Sequence, residues 1–190
     1  MARAGRRPGP TTTGDDVLRA ARTLFAERGY HATTVRAIAA AARVTPAMVH
    51  HFFRSKHAVF LASIRMPLDP AQLLSGMLSG PREQFPERLV RTFVGVWRSE
   101  VTGPSLRSVL RSAITDDEQA AAMRAFASTV VIPRAAAGLD VAPERIVAAL
   151  SIMIGQAVAR TMIAFEALAD LDDDQVVELY VPAVRAALFG

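Results

Sequence analysis

Apolar residues recur at three- and four-residue steps along the whole chain, and no run alternates in the manner of a half-buried strand. The pattern predicts an all-α protein. Residues 1–14 hold Arg3, Arg6 and Arg7 with three glycines and two prolines, which reads as a flexible basic arm. Asp15 or Asp16 is placed to cap a first helix whose apolar face is Val17, Leu18, Ala21, Leu24 and Phe25, and Gly29 ends it. Thr33 or Thr34 caps a second, short helix carrying Val35, Ile38, Ala39 and Ala42. After an Arg43-Val44 turn, Thr45 caps a third helix with Pro46 in its first position, where proline is tolerated. Ser55 caps a fourth that runs to Met66. Pro67, Pro70, Gly76, Gly80 and Pro81 keep the next stretch irregular. Further helices are expected at 83–101, 104–114, 116–137, 143–169 and 173–189, with a kink at Pro133. The domain reading is therefore an arm over 1–14, a helix-turn-helix head over 15–62 and a helical body over 63–190.

Charge sharpens the division. Residues 1–60 carry nine Arg and one Lys against three acids, while residues 61–190 carry twelve Arg against fifteen acids. A basic head on an acidic body suggests that the head meets a polyanion, with plain solvation charge as the alternative. There is no cysteine, all four histidines lie within 31–57, and neither a nucleophile elbow nor a phosphate loop occurs. These absences argue against an enzyme, and no cofactor is implied. A zinc reading of His50, His51 and His57 is disfavoured, because adjacent helical residues point about 100° apart. No apolar h-region follows the basic start, so a cytoplasmic protein is the expectation.

The longest apolar stretch, Ile146 to Phe165, contains Gln156 and Arg160, which argue against a membrane span. It reads better as a helix buried on several sides. Ala148, Ser151, Gly155 and Ala159 offer small side chains along one edge. The last helix offers Val176, Val177, Tyr180, Val184 and Leu188, so the two together suit a four-helix interface in a homodimer; an internal helix pair is the alternative.

The segment TTVRAIAAAARVTPAMVHHFFRSKHAVF, residues 33–60, is the informative one. Two short helices joined by a tight turn, with small Ala39 at their crossing and Ile38, Val44, Met48 or Val49, and Phe52 as the apolar wedge, describe a helix-turn-helix. Its order of a Thr pair, Ile-Ala, Val-Thr-Pro, His-Phe-Phe and Ser-Lys resembles the DNA-binding domain of the tetracycline-repressor (TetR) family. The resemblance covers about residues 15–62 and includes AARTLFAERGYHATTV. It implies that Thr34 or Arg36 contacts phosphate, that Thr45, Ala47 and Met48 face bases, that His50 contacts phosphate or a base with His51 beside it, and that Lys56 donates to phosphate. The sequence departs from the family pattern at Arg43, where glycine is usual, and at His50, where tyrosine is usual. If Arg43 is left-handed, its side chain costs on the order of 1 kcal/mol.

The body resembles one variety of the family's divergent C-terminal region through FVGVWRSEVTGPSLRSVLRSAITDDEQAAAMRAF. That looser resemblance implies a small-molecule effector pocket, for which Phe93, Trp97, Met123, Phe126, Met153, Gln156, Arg160, Met162 and Phe165 are the candidate lining. The functional expectation is a ligand-responsive regulator, a repressor in the first instance, binding palindromic operator DNA as a homodimer and released by a mainly apolar effector. The alternative is a constitutive or architectural DNA-binding protein without an effector.

Overall fold

The computed structural model describes residues 10–190, with side chains from residue 13 onward. Among these residues every regular element is helical. The chain forms two compact units, one of residues up to Met66 with Ser112–Phe126, the other of Pro67–Arg111 with Ala127–Gly190.

In the first unit α1 spans Pro10–Ala32. It begins five residues ahead of Asp15, so residues 10–14 belong to a helix rather than to the expected arm. The carboxylates lie inside the helix, where Asp16 pairs with Arg19. Gly29 (φ 75°, ψ 171°) breaks the helix in a conformation that glycine alone adopts readily. Thr33 is buried and its hydroxyl bonds the carbonyls of Leu24 and Gly29 at 3.0 and 2.9 Å, pinning the reversal. The cap of α2 (Val35–Ala41) is thus Thr34, whose hydroxyl accepts from the Ala37 N–H.

The turn then closes on Arg43, at φ 56°, with N–H bonds from Arg43 to Ala40 and from Val44 to Ala39. This left-handed closure satisfies the last carbonyls of α2. Thr45 caps α3 (Pro46–Phe53) and Ser55 caps α4 (Lys56–Ser63), each accepting from the amide three residues on. α4 stops short of the expected Met66 because Arg65 is also left-handed. Ile38, Ala39, Val49, Val59 and Phe60 are buried at the crossings of these helices.

The next two helices are α5 (Pro70–Leu78) and α6 (Phe85–Arg98), with a 3₁₀ turn at Arg82–Gln84 between them. The sequence pattern predicts an irregular stretch where α5 stands. The helix forms because Asp69 caps it and Pro70 falls in its first turn, where a missing N–H costs nothing. α7 (Gly103–Thr115) leads to α8 (Asp117–Phe126), whose start is capped by Asp116. α8 packs along α1 within the first unit, with Ala122 fully buried and Arg22 within 3.9 Å of Asp116.

The expected helix over 116–137 is interrupted by a π-helical turn, Ala127–Val131, before α9 (Ile132–Leu139). Pro133 has no N–H to continue the helical ladder, and the irregularity falls on the turn before it. The expected helix over 143–169 is likewise divided. α10 (Pro143–Ala157) passes into a π turn over Val158–Ile163, ends at left-handed Ala164, and is followed by the short α11 (Glu166–Ala169). α12 (Asp173–Phe189) opens with a reciprocal cap between Asp172 and Gln175.

In the second unit α12 packs on α6 and α10 around Leu89, Val90, Val94, Met153, Val184 and Leu188. Val176, Val177, Val184 and Leu188, read from the sequence as an interface, are buried in this core. The outward side of α12 carries Leu179, and that of α10 carries Val147, Ala148, Ser151, Ile154 and Gly155. A Cβ added at Gly155 would meet nothing within 4 Å. Pro143–Ile163 is long and apolar enough to cross a membrane by length and composition. Its Arg160, however, is buried and ion-paired within the unit, as befits a packed helix.

Candidate nucleic-acid interface

Val49 is 1% exposed and anchors α3, with Phe52 and Phe53 half-buried beside it. The other side of the helix is open: Thr45, Ala47, Met48, His50 and His51 are all exposed. At about 100° per residue, Ala47 and His51 stand one turn apart opposite Val49, flanked by Met48 and His50. The His50 ring Nδ1 lies 3.3 Å from the Arg54 carbonyl, which engages that edge of the ring. Thr34 and Arg36 are exposed at the start of α2. The two N-terminal caps fix where these helices begin, and hence which amides and side chains open toward solvent.

Lys56 has a second engagement that its sequence position does not reveal. Its ammonium donates to the Tyr30 carbonyl at 2.9 Å and sits 4.3 Å from the centre of the Tyr30 ring. Tyr30 is itself held among Phe25, Phe60, His57 and Phe126, with Phe60 and Phe126 stacked 4.4 Å apart. An ammonium has three donors, so the bond to Tyr30 orients Lys56 without exhausting it. Neither Tyr30 nor Phe126 was singled out for this role. Each stands without another Phe, Tyr or Trp within four residues, so no local pattern marks it. Arg3, Arg6 and Arg7 lie outside the described residues.

The candidate effector residues divide between the units. Met123 and Phe126 belong to the first, on α8. In the second, Phe93 stacks on Trp97 at 5.7 Å, Met153 and Gln156 are buried on α10, and Met162 is half-buried. Phe165 is 55% exposed. Arg160 is 6% exposed, with Nη1 3.3 Å from the Asp173 carboxylate and Nη2 donating to the Leu171 carbonyl. Arg98 donates to the same Asp173 oxygen at 2.8 Å. Burial alone would raise the Asp173 pKa, but hydrogen bonds from Arg98 and Arg160 outweigh it and hold the carboxyl below its usual range.

A short capped helix, anchored by one buried valine and open on its far side, with basic and hydroxyl groups at neighbouring helix starts, is the head of a helix-turn-helix DNA-binding protein. Residues 17–63 match the model of the bacterial regulatory proteins of the tetR family, and residues 83–188 match the tetracyclin repressor-like C-terminal domain. The chain belongs to the TetR family of transcriptional regulators, which are DNA-binding proteins rather than enzymes. It is 40% identical over 60 residues to the HTH-type transcriptional repressor KstR2 of Mycolicibacterium smegmatis. That match spans 32% of this chain and 29% of the repressor's length. Among solved structures, a TetR-family regulator from Streptomyces coelicolor A3 is 29% identical, with 97% of this chain and 98% of that one covered and a TM-score of 0.43. A second, from a Rhodococcus species, is 16% identical, with 94% and 99% covered and a TM-score of 0.48.

Proposed function

We propose that the protein is a ligand-responsive repressor that binds a palindromic operator as a homodimer and is released by a small, mainly apolar effector. The observation that carries the reading is the outward face of α3, where Thr45, Ala47, Met48 and His51 are exposed together while Val49 holds the helix down. One such helix reaches few base pairs, so two are needed, spaced to enter successive major grooves about 34 Å apart. The exposed small and apolar residues of α10, together with Leu179 on α12, support a two-fold interface. Thr34, Arg36 and Lys56 are assigned to phosphate, with Arg3, Arg6 and Arg7 adding long-range attraction. Phe93, Trp97, Met153, Gln156 and Met162 are assigned to the effector.

The test uses the full chain on duplexes selected from a random pool, with stoichiometry measured by light scattering. Two chains per palindrome are expected, with log affinity falling linearly against log salt. Neutral and acidic amphiphiles are then scored by thermal stabilisation and by operator release. An effector should weaken binding at least tenfold, and Met162→Arg should abolish release while leaving operator affinity in place. Binding that no stabilising compound alters would instead favour a constitutive DNA-binding protein.

A further inference from the structure

The eight residues of α3, Pro46–Phe53, include no Arg, Lys, Asn, Gln, Asp or Glu. These are the side chains that make the usual bidentate or charge-assisted hydrogen bonds to guanine, adenine and cytosine in the major groove. What α3 presents is mostly carbon. Ala47 is exposed at the centre of the outward face, and Met48 beside it is 43% exposed despite being a large apolar side chain. His50, on the opposite flank, has its ring nitrogen at the Arg54 carbonyl. Thr45, at the cap, already accepts from the Met48 amide at 3.3 Å. His51, the Thr45 hydroxyl hydrogen and the second ring nitrogen of His50 are the few hydrogen-bonding groups left to the face.

Major-groove base edges carry one apolar group, the C5-methyl of thymine. A methyl-bearing base is what an alanine and a flexible thioether match, and neither has a donor or acceptor able to tell the other bases apart. We infer that Ala47 and Met48 read thymine through its 5-methyl group, and that each operator half-site holds at least one thymine whose methyl carries sequence preference. This rests on the reading of the chain as an operator-binding regulator and specifies what that operator contains.

The experiment separates the two. Duplexes are selected with the full chain, and each symmetry-related thymine pair in the selected site is replaced by deoxyuridine, which removes the methyl and leaves every hydrogen-bonding group. Burial of one methyl group corresponds to about a fourfold change in affinity, so a pair should cost roughly fifteenfold. Met48→Ala should bind the thymine and deoxyuridine duplexes with more nearly equal affinity, and Ala47→Gly should do the same at the neighbouring position. Both residues are exposed, and a thermal melt confirms that the variants fold. If a site is selected but every deoxyuridine duplex binds like its thymine parent, the methyl reading is overturned and the regulator reading stands. The methyl reading also fails if a variant carrying both Met48→Ala and Ala47→Gly keeps full discrimination. Failure to select any sequence removes the regulator reading itself.

Discussion

Arg43, Arg54 and Arg65 each stand at positive φ just beyond α2, α3 and α4, where a side chain crowds its own backbone. Each places a cation at the negative end of a helix dipole, which returns about 0.3–1 kcal/mol of a cost on the order of 1–2 kcal/mol. Arg43→Gly is therefore expected to raise the melting temperature by about 1–3 °C, as a calorimetric scan would register; a lower melting temperature would mean that the guanidinium does more for the fold than its charge. The family resemblance marked this position, because Gly is usual there, while the sequence itself narrowed the second cap to Thr33 or Thr34 and disclosed Thr45 and Ser55, because capping is chemistry within three residues. It did not disclose that Lys56 bonds to Tyr30, since no local pattern links residues 26 apart.

Among the elements, the meeting of α6, the π turn after α10 and the start of α12 depends on one carboxylate. Asp173 accepts from Arg98 and from buried Arg160, and its pKa is lowered in consequence. A carboxyl whose folded pKa is depressed contributes stability that is present above its unfolded pKa, near 3.9, and is lost as pH falls from there through the folded value. Stability from this group should be constant above about pH 5 and decline below about pH 4. Asp173→Asn should cost about 1–3 kcal/mol at neutral pH, less than a fully buried pair because the Asp173 side chain is 44% exposed. It should also flatten the acid limb of a urea-denaturation series. An acid limb that matches the unaltered protein would show that the carboxylate is not titrating with folding.

The helix count was largely legible at this scale, but the interruptions were not. Apolar periodicity continues through Val158–Ile163 and Ala127–Val131, so nothing in it distinguishes a π turn from an α turn. α5 was obscured for the opposite reason, because Pro70 and Gly76 read as breakers although the first is a starter.

For the whole molecule, the linear division near residue 62 differs from the compact units. The chain leaves the first unit after Met66 and returns for Ser112–Phe126. Periodicity identifies helices one at a time and cannot say which partner each will find. The pairing is testable by hydrogen exchange. Amides of α8 should open with those of α1 and α4 as one cooperative group. Phe126→Ala, which removes the ring stacked on Phe60, should lower protection in all three by about 3–5 kcal/mol and leave α6 and α12 unchanged. Loss of protection confined to α8 would separate it from the head.

The same return of the chain sets a timetable during synthesis. Sixty residues separate Met66 from Phe126. At roughly 5–20 residues per second, the first four helices wait some 3–12 seconds on the ribosome before the strip that covers α1 is made. Throughout that interval the face of α1 that receives α8 lacks its native partner. A nascent polypeptide that stalls within this window presents that face to chaperones, or to another unfinished copy on the same message.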